Sequence, residues 1–475
     1  MDKKVLFESV EKHASLLTQL SDRIWEYAEL SMQEYKSAAD YAAVMKELGF
    51  EVEEKIAGIP TAFSGRFGTE KPVIGILGEF DALSGLSQKA DSAEKDPITA
   101  DGCGHGCGHN ILGAASLGAA IALKEQIEAG NLKGSVVFYG CPGEEGCAGK
   151  AFMARDGMFR DLDAALCWHP GDVNEVTVGS CAASLQVEYA FTGVASHAAG
   201  TPEMGRSALD AAELMNIGVQ FLREHMPKTC SIHYSFLDTG GPSPNVVQPT
   251  AKVLYMVRGA NVTAAKALLE RVNKIAQGAA MMTETSVTWK QIDGTSSTLS
   301  NTVIEQRIYE NLKAAPLPQY SEEETAFAQA LMATYPADEL PGHITMDNME
   351  AYLYVAEQSE NGKASLNNFV MPYIPSKQFS PGSTDVGDVS WLTPTAQFSA
   401  VTWPSGVPGH SWQIVSAGKS SIAHKGLCYA AKVLAATAAD LMCDEALLTQ
   451  AKKEFSVTAA AGYDCPIGKE VKIPE

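Results

Sequence analysis

The sequence lacks the features that would place it in a membrane or outside the cell. No apolar run approaches the roughly 20 residues that a membrane-spanning helix needs. The first residues, MDKKVLFESVEKHASLL, follow an amphipathic pattern that contains acidic residues and a histidine. A signal peptide would instead need a continuous apolar core. We therefore expect a cytoplasmic protein that has no membrane partner.

Positive charge is also scarce. The chain has 36 Lys and Arg against 57 Asp and Glu, which gives a net charge of −21 at pH 7. The electrostatic field of so negative a chain repels a phosphate backbone, so we expect no nucleic-acid partner. Cysteine is not dense either, because ten cysteines are scattered along 475 residues. That spacing differs from the disulfide frameworks of small secreted domains and indicates reduced thiols.

The length and the pattern of elements predict two domains. A chain of 475 residues exceeds the usual size of one hydrophobic core. Strands and helices alternate over 72–169, which predicts a parallel sheet covered by helices. Residues 183–294 read as β-α-β-β-α-β with alternating apolar and polar strands. The prediction is an α/β fold with a mixed central sheet covered by helices in 1–182 and 295–475, and an inserted α+β two-layer sandwich, a lid and dimerisation domain, in 183–294.

Local signals predict several helix ends. Residues 8–48 have the spacing of two amphipathic helices, and Gly49 is typical of a helix C-terminus. Asn110 is a candidate N-cap for the apolar helix that follows it. Another long helix closes the chain over 418–442. The stretch 315–380, rich in Pro, acidic residues and Asn, gives no clear pattern.

The run DGCGHGCGHN places thiols and imidazoles close together in a glycine-rich loop. Cys107 and His109 come directly before a predicted helix, whose N-terminal dipole favours a thiolate. One interpretation is a catalytic metal site that uses these two residues. The other is a redox or structural zinc knuckle made by Cys103, His105, Cys107 and His109, although its ligands would alternate more tightly than usual zinc spacings.

Three further candidates follow predicted strands. PGEEG contains Glu144 and Glu145 directly after one strand, His169 ends another in LCWHPGD, and His410 follows a third in WPSGVPGHSW. By itself, a pair of glutamates usually lies on a solvated surface, and a single histidine usually has a structural role. Together these strand ends lie where open α/β sheets place their sites. A set of thiolate, imidazole and carboxylate suits zinc, and manganese, nickel and cobalt stay open.

In this order and spacing, HGCGHN, PGEEG, the His of CWHP and the His of PGHS resemble the aminoacylase/carboxypeptidase family of dimetal peptidases. They are most similar to its amidohydrolase branch, in which Cys replaces the metal-bridging Asp. The resemblance covers nearly the whole chain and includes GVASHAAGTPEMGRSALDA, which is similar to the lid motif of the family. GEFDALSG, CWHPGD and GSTDVGDVSW resemble the subgroup that hydrolyses p-aminobenzoyl-glutamate.

The resemblance implies two divalent ions per subunit, zinc or manganese first and nickel or cobalt as alternatives. Cys107 would bridge the two ions. His109 and His169 would complete one metal site, and Glu145 and His410 the other.

The resemblance also implies roles for residues that bind no metal. Glu144 would be the general base and would return its proton to the leaving amine. His197 would stabilise the oxyanion in the site of a partner subunit, and Asn245 would bind substrate near the same oxygen. Arg258 is a candidate partner for a substrate carboxylate, or else a surface charge at a strand end.

The chain departs from the family pattern at two positions. Glu79 and Asn110 stand where related enzymes have Asp, which bears on the preferred metal more than on the reaction class. The role of Asp385, in GSTDVGD, is open, and the segment 311–380 exceeds the compact pattern of the family.

The function implied is metal-dependent hydrolysis of p-aminobenzoyl-glutamate to p-aminobenzoate and glutamate. The alternatives are an amidase of other N-acyl or N-aroyl amino acids or dipeptides, and, in a different class, an inactive regulatory partner subunit. The expected assembly is a homodimer through 183–294. A heteromer with a homologous A-type subunit is the other possibility.

Overall fold

The computed structural model describes residues 1–336, 340–342, 344 and 346–474. Internal contacts divide the chain into two compact units. The first unit comprises Met1–Val178, Leu299–Ser376 and Val389–Gly462, and the second comprises Gly179–Thr298, Lys377–Asp388 and Tyr463–Glu475. The predicted insert, 183–294, falls within the second unit. Its role as a separate lid and dimerisation domain stays a prediction.

The first unit contains a seven-stranded mixed sheet. Its strands, in the spatial order β1-β2-β4-β3-β5-β13-β6, are β1 (Glu51–Glu54), β2 (Phe63–Phe67), β3 (Val73–Glu79), β4 (Ser135–Cys141), β5 (Ala164–Gly171), β6 (Glu175–Val176) and β13 (Thr395–Val401).

Four neighbouring strands of this sheet, β4, β3, β5 and β13, are parallel. The outer pairs β1–β2, β2–β4 and β13–β6 are antiparallel. Every residue of β3 and β4 is buried, as expected for parallel strands that are covered on both faces. The predicted α/β fold with a mixed central sheet is confirmed, and it aligns the carboxyl ends of four strands at one edge.

Helices make up much of the rest of the first unit. They are α1 (Lys4–Tyr27), α2 (Tyr35–Glu47), α3 (His109–Glu128), α4 (Gly149–Arg155), α7 (Thr302–Ala314), α8 (Glu322–Met332), α9 (Met349–Gln358), α11 (Trp412–Ala417), α12 (Ser421–Cys443) and α13 (Glu445–Thr458). A further short helix, α10 (Val386–Ser390), spans the point where the chain passes from the second unit to the first.

Helices α1, α3 and α12 make the main helical layer of the core. The faces of α1 and α3 meet through Leu17 and Gly118, where a side chain on the glycine would contact Leu17 Cδ1. Helix α12 is long and apolar enough to cross a membrane by length and composition, but 89% of its most apolar window is buried inside the structure. Its apolar surface is therefore part of the core.

The second unit has a four-stranded antiparallel sheet in the order β11-β8-β10-β9, with β9 at an edge, and a short parallel pair, β12–β7. The burial of β8 and β10 alternates along each strand, as in a sheet with one covered face. The elements are β7 (Ser180–Cys181), β8 (Ala183–Thr192), α5 (Ala208–Arg223), β9 (Ser231–Asp238), β10 (Thr250–Gly259), α6 (Val262–Met282), β11 (Ser286–Thr295) and β12 (Phe379–Ser380).

One predicted helix end is wrong. Helix α3 begins at His109 with Gly108 as its N-cap, so Asn110 lies inside the helix. The Asn110 side chain instead donates hydrogen bonds to Ser21 Oγ at 3.0 Å and to the carbonyl of Gly418 at 2.9 Å. Both bonds are donated by the side-chain NH2 group, whereas an N-cap would accept a backbone N–H through the side-chain oxygen. Gly49, in contrast, follows α2 with a φ of 81°, as predicted for a helix C-terminus.

Candidate metal centre

The aligned strand ends of the first unit carry most of the candidate site. Glu79 is the last residue of β3, Glu144 and Glu145 follow β4, and His169 lies near the end of β5. His410 lies in the loop after β13. Because these four strands are parallel, residues that are far apart in sequence meet at one edge of the sheet.

The glycines of DGCGHGCGHN allow this loop to pack closely. Gly108 has a φ of 74°, and a Cβ there would lie 2.8 Å from the Trp403 ring. A Cβ on Gly104 would lie 2.3 Å from the carbonyl oxygen of Leu86. Only glycine fits these two positions, and the close packing holds Cys107 beside the start of α3.

The first group of candidate ligands is Cys107, His109 and His169. Cys107 Sγ lies 3.4 Å from His169 Nε2, and the two imidazole rings are 5.8 Å apart. The Nδ1 atoms of both histidines have oxygen partners at 2.8 Å, Asp81 Oδ1 for His109 and the Pro170 carbonyl for His169. If each Nδ1 carries the hydrogen, both Nε2 atoms keep a lone pair for a metal ion.

The second group is Cys107, Glu145 and His410. His410 Nε2 lies 3.5 Å from Glu145 Oε2. The backbone N–H of Glu145 donates to Asp81 Oδ2 at 2.9 Å, which fixes this ligand to the same carboxylate that orients His109. His410 has a φ of 53° and a side chain that is 56% exposed, so it reaches the group from a loop at the surface.

A third group joins Glu79, His109 and Glu144, with ligand atoms that lie within 4.8 Å of one another. Glu79 Oε2 is 3.2 Å from His109 Nε2, and Glu79 Oε1 accepts from Lys150 Nζ at 2.5 Å. The structure therefore brings Glu144, the predicted base, close to the candidate metal ligands.

Two buried acidic side chains hold the loop that carries Glu144 and Glu145, and burial together with the charge of Asp81 raises the pKa of Glu34 to about 8. Glu34 Oε1 accepts the N–H of Gly143 at 2.8 Å, and Glu34 Oε2 accepts from Thr61 Oγ1. Asp81 accepts from Ser31 Oγ at 2.8 Å, as well as from the loop. Sequence reasoning missed these residues and Lys150. Asp81 could have been found from the sequence, since it lies two residues after Glu79 in GEFDAL. Glu34 lies between two helices, and no sequence pattern marks it.

Burial and charge set the protonation of these groups. Burial opposes ionisation of Asp81, but the hydrogen bond and charge of His109 outweigh it and hold the Asp81 pKa at about 2. Burial likewise opposes ionisation of Glu79, but the charges of Lys150 and His109 hold its pKa below the ordinary value. Burial raises the pKa of the Cys107 thiol to about 12, so the start of α3 is not enough to favour the thiolate.

The zinc-knuckle interpretation does not fit this geometry. His105 is buried, its Nε2 lies 3.0 Å from the Ile24 carbonyl oxygen, and burial lowers its pKa to about 4. Among the described residues, no candidate metal group contains Cys103 or His105. Cys107 and His109 are instead grouped with residues from other strand ends.

The second unit holds the other predicted residues. His197 and Val246 form a backbone bridge, and the carbonyl of Asn245 accepts from the N–H of Ala198 at 2.9 Å. His197 Nδ1 accepts from the N–H groups of Ala199 and Gly200 at 3.2 and 3.0 Å. The structure therefore brings His197 and Asn245 together, and it places the hydrogen of a neutral His197 on Nε2.

Arg258 and Asp385 lie elsewhere in the second unit. Arg258 is at the end of β10 remote from Asn245, about 27 Å from Thr250 at the usual rise per strand residue. Its Nε is buried without a hydrogen-bond partner, and burial lowers its pKa. Asp385 is buried near Asp293 and Asp388, a buried acidic cluster in the same unit.

The residues of the first unit fit a metal centre. His109 Nε2 and Glu145 Oε1 are buried and make no hydrogen bond, although Glu79 Oε2 lies 3.2 Å from His109 Nε2. Such atoms are costly to leave unsatisfied, and both belong to groups whose donor atoms converge. Thiol, imidazole and carboxylate together are a ligand set for zinc and related divalent ions. A cation would also favour the thiolate of Cys107, which burial alone opposes.

Comparison with known proteins agrees with this geometry. The family model of peptidase family M20/M25/M40 matches residues 75–357, more than half of the chain. The chain is 42% identical over 473 residues to the B-type subunit of p-aminobenzoyl-glutamate hydrolase of Escherichia coli, a match that covers 98% of this chain and 97% of that protein. It is 26% identical to Xaa-Arg dipeptidase of Mus musculus, over 94% of this chain and 90% of that protein.

A solved structure shares the fold. A dinuclear metal binding peptidase of Bacillus subtilis superposes with a TM-score of 0.53 at 18% identity, over 90% of this chain and 99% of that one. The strand-end cluster, the matching family model and the full-length relative lead to the same assignment. The chain belongs to peptidase family M20/M25/M40 and is a hydrolase that acts on an amide bond.

Proposed function

We propose that this hydrolase cleaves p-aminobenzoyl-glutamate to p-aminobenzoate and glutamate. The observation that carries the proposal is the convergence of Cys107, His109, Glu145, His169 and His410 in two candidate metal groups. Its substrate is proposed from the Escherichia coli relative, a p-aminobenzoyl-glutamate hydrolase subunit that is 42% identical over nearly the full length.

The cluster would hold two divalent ions, zinc or manganese first and nickel or cobalt as alternatives. Cys107 belongs to both groups and would be shared, with His109 and His169 on one side and Glu145 and His410 on the other. Bound ions would polarise the amide carbonyl and lower the pKa of water from about 15.7 to near 7.

Glu144 is the proposed general base. Its carboxylate lies with Glu79 and His109 in one group, beside the ligands rather than among the residues of the two-ion set. It would accept a proton from the attacking water and deliver that proton to the leaving amine nitrogen. Asp81 keeps His109 oriented by its bond to Nδ1, and Asp81 and Glu34 together restrain the loop that carries the base.

His197 and Asn245 are the proposed contacts to the substrate carbonyl. The two backbone N–H groups on His197 Nδ1 leave Nε2–H free to donate to a developing oxyanion. We propose that His197 acts in the site of a partner subunit. Arg258 would need a separate contact with a substrate carboxylate, because it lies at the other end of β10 from Asn245.

The proposed assembly is a homodimer through the second unit. Its edge strand β9 exposes Tyr234, Phe236 and Leu237, and α5 exposes Ile217 and Phe221. Apolar side chains at an open sheet edge favour pairing with another chain. A heteromer is the alternative, since the Escherichia coli relative is named as one subunit of a hydrolase that also has an A-type subunit.

A second candidate function is cleavage of dipeptides or of other N-acyl amino acids. The Mus musculus relative, an Xaa-Arg dipeptidase matched over 94% of this chain, supports it. The residue clusters do not separate the two substrates, because the same chemistry hydrolyses either amide. An inactive partner subunit is a weaker candidate, since the proposed ligands and Glu144 are all present.

The test is release of glutamate from p-aminobenzoyl-glutamate by the purified, zinc- or manganese-loaded chain. Glu144→Gln should lower kcat by about 10²–10⁴-fold, the usual contribution of a general base, with unchanged metal content. Glu47→Gln, at an exposed carboxylate at the end of α2, is the control and should keep full activity. Wild-type activity in Glu144→Gln would refute the assignment of the base. Absence of release by the loaded wild type, alongside cleavage of a dipeptide, would favour the second function.

A further inference from the structure

Lys150 is an enclosed cation beside the candidate metal centre. It lies in the first turn of α4, and its side chain has no exposed surface. Two other described lysines are buried, Lys124 and Lys432, and each pairs with a carboxylate whose side chain is about 60% exposed. Lys150 instead pairs with Glu79, whose side chain is 3% exposed. Burying a lysine costs free energy unless its charge is paired, so the enclosed pair of Lys150 and Glu79 calls for a specific explanation.

Glu79 has the position of a metal ligand. Its Oε2 lies 3.2 Å from His109 Nε2, the atom that faces away from Asp81. With His109 and Glu144 it forms a group whose donor atoms converge within 4.8 Å. A carboxylate in such a place would ordinarily coordinate a divalent ion.

One oxygen of Glu79 is nevertheless engaged by Lys150, at 2.5 Å from Nζ. A charge-assisted bond of this length between buried groups fixes the carboxylate in one orientation. The ammonium also offsets the negative charge of Glu79, in a centre that already contains Asp81, Glu144 and Glu145. Both effects reduce the attraction of Glu79 for a metal ion.

We propose that Lys150 is a positioning residue that withholds Glu79 from the metal ions. Coordination is then left to Cys107, His109, Glu145, His169 and His410. Glu144 stays beside those ligands, and Glu79 does not become a sixth metal ligand next to His109. This inference rests on the proposed two-ion centre and concerns its ligand set, not its substrate.

The main test is metal binding by Lys150→Met, which shortens the unbranched side chain by one atom and removes its charge. Zinc affinity is measured by competition with a chelator, and the ligands are counted by X-ray absorption of the zinc-loaded protein. Release of Glu79 should add one oxygen ligand and tighten one of the two sites by about tenfold, or about 1.4 kcal/mol. Lys432→Met, which removes another buried lysine paired with Glu11, is the matched control and should change neither quantity.

A double-mutant cycle separates this role from a purely structural one. Glu79→Gln keeps an oxygen that can accept from Lys150 and should retain both ions with wild-type coordination. Lys150→Met combined with Glu79→Gln should lose the added ligand and return to the affinity of Glu79→Gln alone. A structural role would instead weaken zinc binding in Lys150→Met whether or not Glu79 is a carboxylate.

Two results would overturn the proposal. One is the loss of a ligand in Glu79→Gln, because Glu79 would then already coordinate a metal ion. The other is a Lys150→Met protein with unchanged coordination and affinity. If Lys150→Met fails to fold, Glu79→Gln still tests whether Glu79 coordinates a metal ion. None of these measurements needs a substrate, so a failure of the proposed hydrolysis would be distinguished from a failure of this inference.

Discussion

Two glycines flank α3, and they differ in what surrounds them. Gly108 caps its start and Gly130 follows its end, each with a φ of 74°. A Cβ at Gly108 would lie 2.8 Å from the Trp403 ring, whereas nothing lies within 4 Å of a Cβ at Gly130. Alanine substitutions at these two positions therefore separate the free-energy cost of a left-handed backbone from that of a steric clash.

We expect Gly130→Ala to destabilise the first unit by about 1 kcal/mol, through backbone strain alone. Gly108→Ala should cost about 1–3 kcal/mol more, because the Trp403 ring must move. It should also reduce the zinc content, since Cys107 and His109 lie on either side of the displaced residue. Thermal unfolding and metal analysis of the two variants check this. Equal midpoints and equal zinc content would show that the contact with Trp403 does not matter.

At this scale the sequence predicted which residues meet but not how they are held. Strand-end position and residue type selected Glu145, His169 and His410 as neighbours, because parallel strands end at one edge. Glu34 and Lys150 were missed because isolated charged residues in helices and loops are usually solvated, and their burial depends on tertiary packing. The metal and substrate roles of the predicted residues stay predictions.

Strand β9 and helix α5 both expose large apolar side chains, and together they are the proposed dimer face of the second unit. β9 is at the edge of its sheet, so one side of its backbone is open for pairing. Phe221 on α5 is 71% exposed, which leaves a large aromatic surface in contact with water.

We expect Phe221→Glu to dissociate the proposed homodimer, because a buried aromatic side chain at an interface often contributes about 2 kcal/mol or more. Light scattering after size exclusion should give a mass near 50.5 kDa for the variant and twice that for the wild type. Met281→Glu, on α6 and 81% exposed, is the control and should stay dimeric. A Phe221→Glu protein that remains dimeric at the same concentration would rule out this face.

Elements were predicted where the apolar pattern is strong, as in α3, α12 and the strands β3, β4, β5 and β13, whereas the short outer strands β1, β2 and β6 were not predicted. Prediction was poor over 315–380, which contains α8 and α9. Helix α9 is 10 residues long and buries only three of them, so its apolar stripe is too short to stand out from a polar segment. Residues 337–339, 343 and 345 of this stretch lie outside the described residues.

For the molecule as a whole, the acidic cluster of the second unit should make stability depend on pH. Burial and the nearby Asp385 raise the pKa of Asp293 to about 7, and burial raises that of Asp388 to about 7 despite its bonds to Ser296 and Tyr463. In the unfolded chain both groups lose their protons near pH 4. The unfolded state therefore holds fewer protons between about pH 4 and 7, and the free energy of unfolding falls as pH rises through that range.

Asp293→Asn should remove part of this dependence. Between pH 5 and 8, we expect its thermal midpoint to fall less than that of the wild type, by an amount equivalent to about 2 kcal/mol at 1.36 kcal/mol per pKa unit. Glu224→Gln, at an exposed carboxylate of the same unit, is the control and should follow the wild type. Parallel curves for Asp293→Asn and the wild type would show that Asp293 titrates normally in the folded protein.

The order of the proposed ligands along the chain has a consequence for biosynthesis. Cys107, His109 and His169 are all present once β5 has been translated, together with the strands that flank it on one side. The group that contains Glu145 and His410 waits until β13 and the loop after it have been translated, and β13 must insert between β5 and β6. A nascent chain would thus offer the ligands of one proposed ion site before those of the other, which is completed only after β13 has been translated.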